Sequence, residues 1–300
     1  MERIQVAENI SFSRIIHGLW RLSDWNQSEQ ETLSLIEYCL EQGITTFDHA
    51  DIYGSYTCEE LFGNALALKP SLREQMEIVT KCGIILPSKN RPEHKSHHYN
   101  TSKKHIIESV EYSLKNLQTD YIDVLLLHRP DPFMDPAQVA EAFKQLKEDG
   151  KVLQFGVSNF KDHQWHMLQS YLPFPLVTNQ IELSAYQLEN FMDGTLNLCQ
   201  EKRIPAMAWS PLAGGAIFKE EDEKAIRLKA TLEKIAIEIG DVDIDQVLYA
   251  WLLNHPASIM PIVGSGKTER IQKAIDALTI KLNHDQWFEI LQSSMGHDVP

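Results

Sequence analysis

The segment Phe47-Asp48-His49-Ala50-Asp51-Ile52-Tyr53-Gly54 closes an apolar run, Ile44 to Phe47, with a carboxylate and presents a phenol five positions later. Two later apolar runs end in the same manner, Glu77-Ile78-Val79-Thr80 in Lys81 and Val124-Leu125-Leu126-Leu127 in His128. A phenol has a reference pKa of about 10 and donates a proton poorly near neutrality unless a cation lowers that value. Lys81 is the cation at hand. A carboxylate such as Asp48 would keep that ammonium charged and in place, while His128 would orient a polar substrate atom or share the proton. The four side chains read as a general acid poised beside a carbonyl or an alcohol. They include no nucleophile activated by a base.

Such groups need elements that aim them at one place. Short β-branched runs alternate along the chain with stretches that carry apolar residues at helical spacing, the cadence of repeated βα units around a parallel sheet. Eight runs read as strands: Ile15 to Gly18, Thr45 to Asp48, Ile78 to Lys81, Val124 to His128, Phe155 to Ser158, Val177 to Gln180, Ala206 to Ser210 and Ile259 to Val263. Helical stretches fall between them, among them Leu33 to Glu41, His105 to Leu117, Val139 to Asp149, Leu228 to Ile239 and Ile271 to Leu278. This count predicts an α/β fold, a closed (β/α)8 TIM barrel, whose strand C-terminal ends are where such enzymes keep their chemistry. Ile4 to Phe12 reads as an N-terminal β-hairpin turning at Glu8-Asn9 and able to plug the bottom of the barrel. Gln286 to Leu291 reads as an extra C-terminal helix, followed by a tail from Ser293 to Pro300.

Composition sets the outer bounds. A chain of 300 residues with 43% apolar and 23% charged residues is ordinary for a soluble protein with a full core. No Pro/Gly/Ser-rich linker or charge block divides it, so residues 1–300 read as a single domain. A formal net charge of -14 argues against nucleic-acid or anionic-membrane partners, which need a basic face. Neither a signal-peptide core near Met1 to Arg14 nor an apolar stretch of membrane-span length is present in the sequence, and the expected location is the cytoplasm. Cys39, Cys58, Cys82 and Cys199 are scattered without a CxxC pair, which suits buried thiols and assigns neither disulfide nor metal.

With these motifs in order, the chain resembles the aldo-keto reductases over nearly its whole length. The matching segments are Phe47 to Gly54, Asp120-Tyr121-Ile122-Asp123 with Leu127-His128-Arg129-Pro130-Asp131, Gly156-Val157-Ser158-Asn159-Phe160, Asn179-Gln180, and Ala208-Trp209-Ser210-Pro211-Leu212. The resemblance implies an oxidoreductase that moves hydride between NADPH and an aldehyde or ketone, or in reverse from an alcohol, with Asp48, Tyr53, Lys81 and His128 as the catalytic tetrad. It also implies that Ser158, Asn159 and Gln180 hydrogen-bond the nicotinamide carboxamide, since an amide-rich set both donates and accepts. By the same resemblance Trp209 stacks on the nicotinamide ring where the family often has tyrosine, and Ser210, Leu212 and Gly214 follow the pyrophosphate. NADPH binding ahead of substrate is likewise part of what the resemblance implies.

The last strand leads into Val263-Gly264-Ser265-Gly266-Lys267-Thr268-Glu269-Arg270, which ends like a triphosphate P-loop but lacks its first glycine, Pro261 standing there instead. In the reductase family this segment grips the adenosine 2′-phosphate, and Ser265 and Arg270 match its serine and arginine. The family's frequent lysine before that serine is Gly264 here. Lys267 is the substitute cation, NADPH remains the expected cofactor, and NADH is a possible one. The family's adenine-side asparagine is replaced by Ala274.

Taken singly, the same residues carry less. An aspartate at a strand end is as often a turn cap, and a tryptophan at a strand end as often fills core volume. Trp20 after the first strand is a candidate for the substrate pocket. His94, His97 and His98 in the polar segment 87–100, and His163 with His166 on a helix, read as surface groups rather than a metal site. The length of the segment after Lys81 places it at the rim of the site, where it would shape specificity. Two other functions stay open: a Schiff-base aldolase using Lys81 as nucleophile, and, through the family resemblance, a cofactor-binding regulatory subunit with little turnover. No obligate protein partner is evident, and a small carbonyl or alcohol compound is the expected substrate.

Overall fold

A computed structural model describes residues 1–219 and 222–300. Its strands are β1 (Arg3–Ala7), β2 (Ile10–Ser13), β3 (Ile16–Gly18), β4 (Thr46–Asp48), β5 (Glu77–Cys82), β6 (Ile84–Ile85), β7 (His98–Tyr99), β8 (Ile122–Leu127), β9 (Val152–Ser158), β10 (Asn179–Glu182), β11 (Ala206–Trp209) and β12 (Met260–Val263). Eight of them form a closed parallel barrel in the order β10-β11-β12-β3-β4-β5-β8-β9. β1 and β2 form an antiparallel hairpin, as do β6 and β7. Every residue of β8 is buried, which explains its apolar run Val124–Leu127: a parallel strand covered on both faces has no solvent side to alternate with.

The chain packs as two compact units, Met1–Asn179 with Gly264–Gly266 and Gln180–Val263 with Lys267–Pro300. In the first, the β1–β2 hairpin docks on the N-terminal ends of β4 and β5. Ser13 N donates to Thr46 Oγ1 at 2.9 Å, and Arg3 bridges to Glu77 at 2.6 Å and also bonds Thr45. Near the same ends, β5 and β8 are tied by Arg73, which donates to Asp123 Oδ2 at 2.7 Å while Ile78 N donates to the same oxygen at 2.8 Å. Phe155 of β9 stacks between Phe143 and Phe174. Gly156 beside it has no room for a side chain, since a Cβ would lie 2.7 Å from Leu126 Cδ2 and from the Thr178 carbonyl.

The second unit has its own apolar cluster, built on Leu228, Leu232 and Ile235 of one helix and Val247, Leu248 and Trp251 of the next. Trp251 and Trp287 stack at 4.9 Å, and each indole N–H donates to the other's carbonyl at 3.0 Å. That reciprocal bond satisfies both indoles away from water.

Helices start earlier than apolar spacing predicts. They run Glu29–Glu41, Lys103–Leu117, Pro136–Glu148, Glu223–Glu238, Thr268–Asp276 and His284–Met295. The cause is capping: Ser28, Ser102, Asp135, Asp222 and Asn283 each accept a backbone N–H of the first turn, so a polar turn precedes the first buried residue. Gly296, at φ 82, ends the last helix. The Ile271 to Leu278 stretch leaves the α-helix at Asp276 and finishes as the 3-10 turn Ala277–Thr279. The helices Cys58–Ala67, Asp162–Gln169, Thr195–Lys202 and Ile244–Leu253 complete the βα pattern.

Three strand assignments shift by two residues or more, and in one of them β9 starts at Val152 rather than Phe155. Regular pairing of β10 starts at Asn179 rather than Val177; Val177 and Thr178 make one bond each to β9 from a buried connection that is apolar without being a strand. β8 starts at Ile122 and ends at Leu127, and His128 extends it only by one N–H donated to Cys82 O at 2.9 Å. The β6–β7 hairpin gives the rim segment after Lys81 an order that its polar composition did not signal.

Candidate active site

Register alone brings three of the four predicted groups onto one face. Asp48 pairs with Val79, and Lys81 lies two residues further along β5, on the same side of the sheet. Lys81 in turn pairs with Leu126, and His128 lies two residues beyond it. Tyr53 reaches the same place by a different route. After β4 the chain still follows β5, His49 N donating to Val79 O and Asp51 N to Lys81 O, and then turns back as Tyr53 N donates to Ala50 O at 3.2 Å.

These paths converge on the Lys81 ammonium. Its Nζ donates to Asp48 Oδ1 and Oδ2 at 2.8 and 2.9 Å, to the His49 carbonyl at 2.6 Å and to the Tyr53 hydroxyl at 3.0 Å. The side chain is fully buried. The Tyr53 and His128 rings meet edge to face at 6.0 Å. All four sequence-predicted residues of the tetrad are therefore together, at the C-terminal ends of β4, β5 and β8.

The electrostatics follow from that burial. Desolvation works against the charge on Lys81, yet Asp48 and Tyr53 outweigh it and hold the ammonium's pKa above the ordinary lysine value. For Tyr53 the balance runs the other way. Burial raises the phenol and Asp48 adds to that, while Lys81 pulls it down without reversing the sign. Lys81 thus lowers the phenol, as expected of a neighbouring cation, but offsets only part of the cost of burial. His128 is pushed well below the ordinary histidine range, first by burial and then by Lys81 and Arg129, so its imidazole is neutral. Its Nδ1 is buried and has no hydrogen-bond partner among the described residues.

The remaining predicted residues divide between the two units. In the first, Ser158 ends β9 and Asn159 follows at φ 61, with Asn159 Nδ2 donating to Ser158 Oγ at 2.8 Å and to the His128 carbonyl at 3.5 Å. Ser265 is buried and Gly266 presses on Trp25, where a Cβ would lie 2.7 Å from the indole; Gln27 Nε2 donates to the Gly266 carbonyl at 3.3 Å. Trp20 is 57% exposed, with the Arg21 guanidinium 5.0 Å over its ring. In the second unit, Gln180 is buried in β10 and Trp209 is half-buried at the end of β11. Ser210, Ala213, Gly214 and Gly215, on either side of Leu212, all have positive φ. Lys267 and Arg270 are exposed at the start of the Thr268–Asp276 helix.

Sequence reasoning missed several groups. The His49 carbonyl holding Lys81 is a backbone atom with no residue signature. Glu59, buried and accepting from Thr80 Oγ1 at 2.6 Å, sits in the first turn of a helix, where a carboxylate reads as a surface residue. Tyr56, three residues after Tyr53, bonds both the N–H and the carbonyl of Leu86 through its hydroxyl. No helix of the described residues is long and apolar enough to cross a membrane, and no group of three or more metal-ligand side chains is found among them.

Comparison with known proteins gives a consistent picture. The model of the Aldo/keto reductase family matches residues 14–294. Over 300 residues, covering all of both chains, the protein is 68% identical to "Uncharacterized oxidoreductase YcsN" of Bacillus subtilis (strain 168). It is 44% identical to a "6-dehydroglucose reductase" of Agrobacterium fabrum, again over the whole of both. Among solved structures, the thermostable aldo-keto reductase Tm1743, in complex with the inhibitor epalrestat, superposes with a TM-score of 0.82 at 26% identity, covering 98% of this chain and 100% of that one.

Proposed function

Because the chain belongs to the aldo/keto reductase family, we propose that it is an NADPH-dependent reductase of aldehydes and ketones, acting as one barrel domain over residues 1–300, with Tyr53 as its general acid. The observation that carries this reading is the buried Lys81 ammonium bound at once to Asp48 and to the Tyr53 hydroxyl. Bound NADPH supplies the hydride. A substrate carbonyl placed against Tyr53 and His128 develops alkoxide charge on its oxygen, and Tyr53 gives up its proton to that oxygen. Lys81 stabilises the phenolate left behind, and Asp48 keeps Lys81 charged. Neutral His128 orients the carbonyl oxygen. Alcohol oxidation runs through the same groups, with Tyr53 as base.

The donor set fits the cofactor. In the first unit, the adjacent Ser158 and Asn159 offer a hydroxyl and an amide for the carboxamide, and Ser265 offers a hydroxyl for the adenosine 2′-phosphate. Gln180, Trp209, Ser210, Leu212, Gly214, Lys267 and Arg270 are assigned to the same cofactor through the family resemblance. Gly264 in place of the family's lysine predicts a weaker preference for NADPH over NADH. The 6-dehydroglucose reductase relative supports including oxidised sugars in a substrate panel.

The aldolase reading loses ground on one observation. A Schiff-base lysine must be a neutral amine to attack, and Lys81 is held charged and hydrogen-bonded to three neighbours. The deciding experiment is Tyr53→Phe, assayed by fluorescence titration with NADPH and by turnover over carbonyl compounds. Cofactor affinity is expected to stay near the wild-type value while most turnover disappears; full turnover in that variant would reject the assigned acid. Tight NADPH binding by the wild-type protein with no turnover of any compound would instead favour the regulatory-subunit role.

A further inference from the structure

The backbone directly after Tyr53 is unusual. Gly54, Ser55 and Tyr56 have φ of 57, 56 and 70, three consecutive residues in the left-handed region, two of them with side chains. L residues disfavour that region one at a time and rarely string it together. Inside the turn, the Tyr53 carbonyl accepts from Thr57 N at 3.0 Å and Cys58 N at 3.2 Å, and Thr57 Oγ1 donates to Gly54 O at 2.7 Å.

The rest of the support comes from the loop that follows Lys81. Two residues past Lys81 the chain turns at Gly83, at φ 107, and enters the β6–β7 hairpin. The excursion between the two strands folds back onto the turn. Leu86 N donates to the Tyr56 hydroxyl at 2.8 Å, that hydroxyl lies 3.3 Å from the Leu86 carbonyl and 3.2 Å from His94 Nδ1, and Arg91 covers the Tyr56 ring at 5.1 Å. Asn90 Nδ2 donates to the Ser55 carbonyl at 2.9 Å. On the near side of Tyr53 the segment is held to β5 by the Asp51 N–Lys81 O and Lys81–Tyr53 bonds, and on the far side, beyond Tyr53, it is held through these contacts of Ser55 and Tyr56 with the loop.

We propose that Tyr56 and Asn90 are positioning residues, which clamp the left-handed turn Gly54-Ser55-Tyr56 to the loop after Lys81 and so hold the Tyr53 hydroxyl on the ammonium. The proposal rests on the reading of Tyr53 as the general acid. A backbone that is unfavourable on its own relaxes when its external bonds are removed, and a shift of about 1 Å at a reacting group costs up to about a hundredfold in rate.

The test uses the full-length enzyme carrying Tyr56→Phe or Asn90→Ala, with Tyr53→Phe as the control. Each clamp variant is expected to lose about tenfold in kcat, the factor one hydrogen bond is worth, with carbonyl KM and NADPH affinity within about twofold of wild type. Amide exchange across 53–58, measured without cofactor, is expected to speed up in both. Adding Ser55→Gly to Tyr56→Phe makes the left-handed backbone easy and is expected to recover most of the rate. Asn90 lies in an exposed loop, so its variant keeps the test intact if Tyr56→Phe folds poorly. Wild-type kcat in both clamp variants, with Tyr53→Phe inactive, overturns the clamp alone, as does a loss that glycine fails to recover. Normal turnover in Tyr53→Phe overturns the assigned acid, and the clamp is then decided by the exchange rates.

Discussion

Lys81→Met removes the cation and keeps much of the side-chain volume. In the wild-type site the ammonium lies 3.0 Å from the Tyr53 oxygen. At that separation a phenolate and an ammonium attract by about 5 kcal/mol at an effective dielectric of about 20. At about 1.4 kcal/mol for each factor of ten, losing that attraction lowers the phenolate population by about a thousandfold or more. Burial already raises Tyr53 and Lys81 is what opposes it, so the shift in the variant is upward. Alcohol oxidation requires the phenolate and should fall by about a thousandfold or more near pH 9. Carbonyl reduction crosses the same transition state in the opposite direction, so at a given pH its kcat/KM should fall by a comparable factor. The assay is initial rates in both directions across pH, read from reduced nicotinamide. One confounder is structural: Asp48, with 4% of its side chain exposed, loses its partner, and breaking a buried pair costs about 3–5 kcal/mol. Asp48→Asn combined with Lys81→Met removes both charges, so it should regain stability without regaining oxidation. Oxidation within tenfold of wild type in Lys81→Met, or recovered in the double variant, would refute the electrostatic argument.

Two further predictions concern the scaffold. Neither imidazole nitrogen of His17 has a hydrogen-bond partner among the described residues, and burial lowers its pKa from 6.5 to about 4. The unfolded chain therefore binds a proton below pH 6.5 that the folded chain refuses, so stability contributed by this group is present above 6.5 and lost as the pH falls toward 4, by about 2.5 kcal/mol at pH 4.5. Urea midpoints at pH 7 and 4.5 should show a smaller acid loss in His17→Leu than in wild type, and equal losses would contradict the prediction. Asp123→Ala leaves the buried Arg73 guanidinium without its carboxylate and should cost about 3–5 kcal/mol in urea unfolding. Asp123 lies near the N-terminal end of β8, away from the end that carries His128, so kcat should stay within about twofold of wild type; a large loss in kcat would show that the two ends are coupled.

Most of the fold was legible because a barrel strand is covered on both faces. Runs such as Val124–Leu127 then stand out as continuous apolar segments, and their ends mark where side chains emerge into the site. Helix starts were less legible, since a capped first turn such as Glu29-Gln30-Glu31 after Ser28 is polar and contributes nothing to the apolar period. The rim segment was illegible for a related reason. Ile84 and Ile85 are the whole of β6, and their partners His98 and Tyr99 carry no β-pattern of their own. Of the site, Asp48, Lys81 and His128 followed from strand ends, and Tyr53 from its distance to Asp48. The His49 carbonyl, the left-handed turn at 54–56 and its clamp are properties of backbone path, which no local residue pattern encodes.

The protonation states also favour Tyr53 over His128 as the acid of the proposed reaction. An imidazolium would be a stronger acid than a phenol at neutral pH, so His128 would be the better donor if it carried a proton. Burial prevents this, and the nearby charges of Lys81 and Arg129 push in the same direction. A neutral imidazole still donates a hydrogen bond and can fix the carbonyl oxygen. Tyr53 is protonated across the physiological range, because its pKa lies above the usual phenol value. It also has what His128 lacks, a cation 3.0 Å from its oxygen that becomes more favourable as the proton leaves. That interaction is stronger in the transition state than in the ground state, which is the condition for it to raise kcat rather than merely to tighten binding. In the proposed reaction Lys81 would therefore act chiefly through the charge that appears on Tyr53 during transfer, from a position that Asp48 and the His49 carbonyl have already fixed.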